Sequence, residues 1–114
     1  MLESVDSEVF VSKIIAESWL EAFRAKDLSR LNLADDFVHN SPFGLIEGKA
    51  AYLEMVNSNP EAFFENTIEV VDLIGEGKQF AIRYLVNGTP ACDCIYIENG
   101  QIAKIIAYFQ FQPD

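Results

Sequence analysis

Basic residues are scarce in this chain. Eight Lys and Arg stand against 18 Asp and Glu, which gives a net charge of −10 at pH 7. Proteins that bind nucleic acid or anionic membranes need basic patches, so neither partner is expected. The sequence also has no apolar run near the ~18 residues of a membrane span and no leader-like start with basic residues before an apolar stretch. We therefore expect a cytoplasmic protein.

Cysteine and histidine are also rare: the chain has two cysteines and one histidine. Cys92 and Cys94 are two positions apart in "ACDCIYI". In a strand they share a face about 7 Å apart, too far for an unstrained disulfide. One such pair with the distant His39 is a poor zinc set. The pattern favours two small, buried apolar side chains in a reducing compartment, and no metal is expected.

Hydrophobic residues, by contrast, make up half of the chain, including nine Phe. This is enough for the core of one domain over residues 1–114. Apolar residues at helical spacing predict a first helix over residues 5–26. "KDLSRLNLADD" predicts a second, short helix capped by Asp27. A third helix should start near Lys49 and restart at "NSNPEAFF", where Asn59 can cap and Pro60 suits the first helical position.

The remaining segments have the pattern of strands. Residues 37–41 predict a short strand that stops at Pro42, and Gly44 and Gly48 should bracket a turn. After residue 66, the β-branched runs "TIEVVDLI", "QFAIRYLV", "PACDCIYI" and "IAKIIAYFQF" are separated by "GEGK", Asn87-Gly88 and "ENG", which are turn signals. Helices followed by a meander of strands predict an α+β fold, with the helices on one face of an antiparallel sheet.

The last two strands are apolar on both faces. A single antiparallel sheet normally presents one polar face to water. One apolar face should therefore meet the helices, and the other should meet a second copy of the chain, because large exposed apolar patches are unusual on monomers. We expect a homodimer joined through the sheet. One face carries Ile95, Ile97, Ile105 and Phe109, and the other carries Cys92, Cys94, Tyr96, Ile106 and Tyr108.

The first predicted helix is followed by two informative stretches. They are, in this order, "LNLADDFVHNSPFGLIEGKAAYLEMV" and "DCIYIENGQIAKIIAYF". Together with that helix they resemble the SnoaL-like polyketide cyclase and ketosteroid isomerase group of the nuclear transport factor 2-like superfamily, over nearly the whole chain. The resemblance implies a curved antiparallel sheet wrapped around N-terminal helices. It also implies a cystatin-like cone with a deep apolar pocket and frequent dimerisation.

The resemblance also implies site residues. The isomerases use a carboxylate base, a tyrosine hydroxyl and a carboxylic acid kept protonated. At the matching positions this chain has Ser41 in place of the base, Trp19 in place of the tyrosine, and Asp93 as the retained acid. Ligand-binding positions of the family match residues whose chemistry suits an ordinary core equally well: Met55, Ile105, Ala107 and Phe109.

Three candidate residues also carry information of their own. Asp93 lies in mid-strand, where burial would raise its pKa; the alternative is an outward-facing carboxylate at the sheet margin. His39 lies two residues before Ser41, so both side chains share a face. It is either a general base near pH 7 or a buried neutral imidazole. Ser41 is better explained as a structural hydroxyl before a turn than as a nucleophile.

The register of the last hairpin decides which residues join Asp93. The resemblance favours a three-residue "ENG" loop with Gly100 in the left-handed region. That loop puts Ala103, Ile105, Ala107 and Phe109 on the Asp93 face. A two-residue loop would replace them with Ile102, Lys104, Ile106 and Tyr108.

Two functions are compatible with the sequence. In the first, the protein is an isomerase, cyclase or dehydratase that needs no cofactor. It would act on a small apolar carbonyl compound, with Asp93 and Trp19 holding the enolate oxygen and His39 moving the proton. In the second, the protein is a non-catalytic ligand-binding or dimerisation module. The fold hosts both, so fold analogy alone does not choose between them.

Overall fold

Three α-helices and six strands form the fold. The computed structural model describes residues 2–110, with side chains from residue 11 onward. A 3-10 turn at Leu28–Arg30 follows the first helix. The elements are α1 (Leu2–Arg24), β1 (Leu33–Ser41), β2 (Gly44–Glu47), α2 (Lys49–Asn57), α3 (Pro60–Phe64), β3 (Ile68–Glu76), β4 (Gln79–Val86), β5 (Thr89–Glu98) and β6 (Gln101–Phe109).

Of the two predicted helix caps, one is confirmed. The Asp27 side chain accepts a hydrogen bond from the Ser29 backbone N–H at 3.1 Å, at the start of the 3-10 turn. The Asn59 cap is wrong, because its side chain makes no capping bond to α3. The Asn59 amide instead donates to the Met55 carbonyl at 2.8 Å. Pro60 occupies the start of α3 as predicted.

The predicted α+β class is confirmed, with all six strands in one sheet of order β2-β1-β6-β5-β4-β3. The sheet is mixed, because β1 runs parallel to β6 while the other pairs are antiparallel. The segment predicted as a turn between Gly44 and Gly48 contains β2. Ser41 pairs with Gly44, so only two residues make the reversal.

The last hairpin has a shorter loop than predicted. Glu98 pairs with Gln101, which leaves only Asn99 and Gly100 in the loop. Their φ values are +53° and +74°. Positive φ at both central residues is the signature of a type I′ turn, which Asn-Gly favours. The prediction of a three-residue loop is therefore wrong.

A bulge nevertheless restores the predicted face for Ile105, Ala107 and Phe109, whereas Ile102 is buried in place of Ala103. The pairing of β5 with β6 shifts by one residue near the loop and leaves Ala103 as the extra residue. Because a one-residue shift exchanges the two faces of a strand, the bulge cancels the effect of the shorter loop. Ile105 thus pairs with Ile95, and Ala107 pairs with Asp93.

All three helices lie on one face of the sheet. α1 contacts strands β3 to β6, and α2 contacts β1 and β2. Burial alternates along β5, where Ala91, Asp93, Ile95 and Ile97 are buried and the residues between them are only partly covered. The largest fully buried side chains of this core are Trp19, Tyr52, Phe37, Leu33, Ile95, Ile97, Ile102, Ile105 and Val56. No helix in the described part of the chain has the length and hydropathy needed to cross a bilayer.

Candidate functional site

An aromatic-rich cavity of about 600 Å³ lies between the helices and the sheet. Its volume is in the range of small-molecule sites, about 300–1,000 Å³. At its rim are the exposed side chains of Phe43 and Leu45 on the β1–β2 hairpin. Its inner lining includes Trp19, Phe23, His39, Tyr52, Phe63, Tyr84, Asp93, Ala107 and Phe109.

Asp93 is the one buried charged residue among the described side chains, with 3% of its surface exposed. The Trp19 indole N–H donates to Oδ2 at 2.7 Å, and the Tyr84 hydroxyl donates to Oδ1 at 3.0 Å. Burial raises the Asp93 pKa to about 6, although both hydrogen bonds favour the charged form and oppose the rise. The carboxyl group is therefore held in place and titrates close to neutral pH.

Trp19 has a different role from the expected one. Indole has a single N–H and no acceptor, and in Trp19 that N–H is directed at Asp93. It is therefore not free to hold a carbonyl oxygen in the same arrangement. Trp19 is a positioning residue that orients the carboxyl group of Asp93.

The sequence analysis missed Tyr84, although a signal for it was present. The Asn87-Gly88 turn predicts a two-residue loop, which pairs Val86 with Thr89 and hence Tyr84 with Ala91. Asp93 is two residues beyond Ala91, so Tyr84 and Asp93 share a face as diagonal neighbours within reach of a long side chain. The predicted hairpin therefore contained enough information to place this hydroxyl beside Asp93.

His39 lies on β1 and faces the same cavity as Asp93. Its ring stacks on the Tyr52 ring, with centroids 4.8 Å apart and planes at 27°. Burial lowers the His39 pKa to about 4, and no charged group contributes to that shift. The imidazole is therefore neutral at pH 7. No ion pair joins His39 to Asp93 in the described part of the chain, so only a ligand lying between them could connect the two groups.

The ring nitrogens of His39 have no hydrogen-bond partner within the described part of the chain. No fully enclosed polar side-chain atom there lacks a partner. The His39 nitrogens are therefore not enclosed, and they are open to the cavity. Of the two possibilities left by the sequence, a general base near pH 7 or a buried neutral imidazole, the structure is closer to the second. The imidazole is neutral and half-buried, but it is not hydrogen-bonded to the main chain.

Ser41 lies at the cavity rim, and its Oγ accepts a hydrogen bond from the Phe43 backbone N–H at 3.1 Å. This contact is that of a turn-forming hydroxyl. The position where the isomerases carry their base thus holds a group that supports the β1–β2 turn.

The four positions matched to family ligand contacts divide into two groups. Met55, Ala107 and Phe109 line the cavity. Ile105 does not, because it is fully buried and pairs with His39 on one side and Ile95 on the other. It contributes to the core behind the site.

Tyr52 is a second residue that the sequence analysis did not single out. It begins the second turn of α2 and is 99% buried, since only 1% of its surface is exposed. Burial and the Asp93 charge both raise its pKa far above that of a free tyrosine, so the hydroxyl stays protonated. No local pattern in the sequence distinguishes it from an ordinary core tyrosine.

Metal ligands are not grouped in this site. Among the side chains described, those of residues 11–110, no cluster of three or more His, Cys, Asp or Glu could hold a metal ion. Cys92 and Cys94 are free thiols on the opposite face of the sheet. The polar residues that line the cavity include Asp93, His39, Tyr52, Tyr84, Ser41 and Asn66.

The sequence model of the SnoaL-like domain family matches residues 16–105. No curated protein matches the chain in sequence. Solved structures with the same fold include a protein of unknown function, described as NTF-2 like, from Burkholderia xenovorans LB400. It is 19% identical with a TM-score of 0.74, and the match covers 91% of this chain and 88% of that one.

Two further structural neighbours have activities suggested for them. One is a proposed polyketide cyclase from Sinorhizobium meliloti, 21% identical with a TM-score of 0.70, covering 82% of this chain and 92% of that one. The other is a proposed isomerase of the SnoaL-like family from Agrobacterium tumefaciens C58, 16% identical with a TM-score of 0.68, covering 90% and 99%. At these identities the similarity shows a common fold.

Proposed function

The chain belongs to the SnoaL-like domain family, and we propose that it catalyses proton transfer on a small apolar carbonyl compound through an enolate. The observation that carries this proposal is Asp93, a carboxyl group fixed by two hydrogen bonds in an apolar cavity, with a pKa of about 6. A general acid or base works best when its pKa is near the working pH. The cyclase and isomerase descriptions of two structural neighbours agree with this reaction class.

In the proposed step, the ionised Asp93 takes a proton from the carbon next to the carbonyl group. The C–H electron pair forms the carbon–carbon double bond of the enolate, and the carbonyl π pair moves to oxygen. Return of the proton to another carbon gives isomerisation, attack by the enolate carbon gives cyclisation, and loss of a β-substituent gives elimination. The step needs no cofactor.

This division of roles reverses the one expected from the sequence, in which Asp93 holds the oxygen and His39 moves the proton. With a pKa of about 4, His39 is a weaker base than Asp93. A neutral imidazole can still donate an N–H to an oxygen. We therefore assign proton transfer to Asp93 and support of the substrate to His39.

The test is exchange of the carbon-bound hydrogens of 1-tetralone for deuterium, followed by proton NMR in D₂O. The wild type should accelerate exchange at the carbon next to the carbonyl group, and the rate should rise with pH through about 6, as Asp93 ionises. Asp93→Asn should abolish the acceleration. The matched control is Asp35→Asn, which alters an exposed carboxylate on β1. A wild type that binds the ketone without accelerating exchange would contradict the proposal.

One observation favours the rival function, a non-catalytic ligand-binding module. The position of the family base holds Ser41, whose Oγ is engaged in a turn. A module of this kind would bind 1-tetralone in the cavity without exchange. The same experiment therefore separates the two functions.

We also propose that two copies of the chain associate through the outer face of the sheet. Tyr108 and Val71 line a groove on that face together with Cys92, and each of the first two is more than half exposed. A second copy would cover this apolar surface. Light scattering at micromolar concentration should give twice the chain mass, and Tyr108→Asp should lower the measured mass.

A reducing, cytoplasmic setting is proposed because both thiols are free.

A further inference from the structure

We propose that the Tyr52 hydroxyl is the hydrogen-bond donor that receives the carbonyl oxygen of the ligand in this cavity. The assignment rests on the proposed function for the identity of the ligand, a carbonyl compound. It adds a residue and a place for the oxygen that neither the family match nor the structural neighbours supply.

The first support is an unused donor. Among the described residues, the Tyr52 hydroxyl has no hydrogen-bond partner, although only 1% of the residue is exposed. Fully enclosed polar side-chain atoms without a partner do not occur in this part of the chain. The hydroxyl oxygen therefore retains some exposure, and because Tyr52 lines the cavity, the cavity is where that exposure lies.

Burial without a partner makes this donor costly. A hydroxyl that is largely removed from bulk water and has no protein partner is destabilising. Buried polar groups are nearly always paired, so an exception calls for an explanation such as an occupant of the adjacent space. A ligand oxygen in the cavity would satisfy the Tyr52 hydroxyl and would remove this cost on binding.

The second support is that the two donors in contact with Asp93 are already engaged, which leaves the Tyr52 hydroxyl and the His39 imidazole as cavity groups without a hydrogen-bond partner among the described residues. Near Asp93, the Trp19 N–H and the Tyr84 O–H both donate to the carboxyl group. The Tyr52 hydroxyl is close enough for the Asp93 charge to raise its pKa. Since Tyr52 and Asp93 line the same cavity, a ligand whose carbonyl oxygen is bound at Tyr52 would share that cavity with the carboxyl group.

The third support is rigidity. The Tyr52 ring stacks on His39 at 4.8 Å and packs edge-on against Phe37 at 5.2 Å, and the Trp19 ring lies 6.0 Å away. A ring held on several sides points its hydroxyl in a fixed direction. Donors that need no reorganisation stabilise a developing oxyanion most effectively.

The experiment compares the binding of a ketone with that of the analogous hydrocarbon. 1-Tetralone carries the carbonyl oxygen, and tetralin has the same fused rings without it. Affinities would be measured for the wild type and Tyr52→Phe by NMR titration, with Tyr108→Phe as the matched control on the outer face. Thermal unfolding would verify that each variant is folded. Tyr52→Phe removes only the hydroxyl and preserves the ring contacts.

Tyr52→Phe should weaken 1-tetralone binding about tenfold, the effect of one lost hydrogen bond, and should leave tetralin binding within about twofold. The control should change neither. An equal loss for both ligands would show a packing role and overturn the assignment, as would unchanged ketone binding or a wild type that binds neither compound.

The two proposals can fail separately. If Tyr52→Phe binds the ketone normally while Asp93→Asn abolishes deuterium exchange, the Tyr52 assignment fails and the proposed function remains. If Tyr52→Phe loses selective ketone binding but the wild type catalyses no exchange, the enolate function fails, and Tyr52 remains the ligand's hydrogen-bond donor.

Discussion

Asp93 and His39 should make the free energy of unfolding change with pH in opposite directions. The two contributions can be measured individually only when one of the two groups is replaced. Burial raises the Asp93 pKa from 3.8 to about 6 and lowers the His39 pKa from 6.5 to about 4. In both cases burial disfavours the charged form. The two titrations therefore occupy nearly the same pH interval.

The signs follow from which state binds more protons. Between pH 4 and 6, the folded protein holds a proton on Asp93 that the unfolded chain has lost, so this group makes the free energy of unfolding fall as pH rises. Over about the same interval, the unfolded chain holds a proton on His39 that the folded protein lacks, so this group makes the free energy of unfolding rise as pH rises. Each shift corresponds to about 3 kcal/mol, so in the wild type the two contributions largely cancel.

Single variants should reveal each contribution. Asp93→Asn has nearly the same shape and no charge, and His39→Phe keeps a ring against Tyr52 and does not titrate. The stability of Asp93→Asn relative to the wild type should increase by about 3 kcal/mol between pH 4 and 6.5. That of His39→Phe should decrease by a similar amount. Other titrating groups are common to all three proteins and cancel in these differences.

Urea unfolding at fixed protein concentration, followed by the fluorescence of Trp19, the only tryptophan, would give the free energies of unfolding. Measurements at pH 4, 5, 6 and 7 cover both titrations. Variant and wild-type curves that stay parallel within about 0.5 kcal/mol would refute the reasoning, since neither group would then be perturbed by burial. Slopes of the same sign for both variants would also refute it.

Three other variants test the site and the fold. Trp19→Phe removes a hydrogen bond that lowers the Asp93 pKa, so carboxyl-carbon NMR should show a higher pKa than in the wild type. Gly75→Ala should destabilise the fold strongly in urea unfolding, because a Cβ there would clash with the backbone oxygen of Gln79 and φ is +139°. Ile105→Ala should cost about 2–5 kcal/mol of stability, whereas Met55→Ala, at the cavity wall, should alter ligand affinity more than stability.

Local sequence patterns predicted the elements that depend on local chemistry. The Asn87-Gly88 and Asn99-Gly100 turns have the positive φ values that such turns require, and Asp27 caps its helical turn. Non-local pairing was harder to predict. The parallel contact of β1 with β6 joins residues 66 to 69 positions apart in the sequence, and alternation of apolar residues within a strand does not identify its neighbour.

The last hairpin shows how a wrong prediction of loop length, taken from the family resemblance, can still give the right face from Ile105 onward. The two-residue loop alone would have put the alternative set of side chains beside Asp93, but the extra residue Ala103 restores Ala107 to that position. Loop length follows from the Asn-Gly chemistry, whereas the bulge depends on how β6 fits between β5 and β1. Only the first of these can be read from a few adjacent residues.

The site residues differ in the same way. Asp93 stands out in the sequence because a carboxylate in mid-strand is costly to bury, and Tyr84 follows from the predicted hairpin register. Tyr52 depends on how α2 docks against β1, so its alignment with the cavity has no local signature. If Tyr52 receives the ligand oxygen, the group that sets the orientation of the substrate is the one least visible in the sequence. A search for the substrate would then start with the distance from an acceptor oxygen to an acidic C–H, because that distance must match the separation of Tyr52 from Asp93.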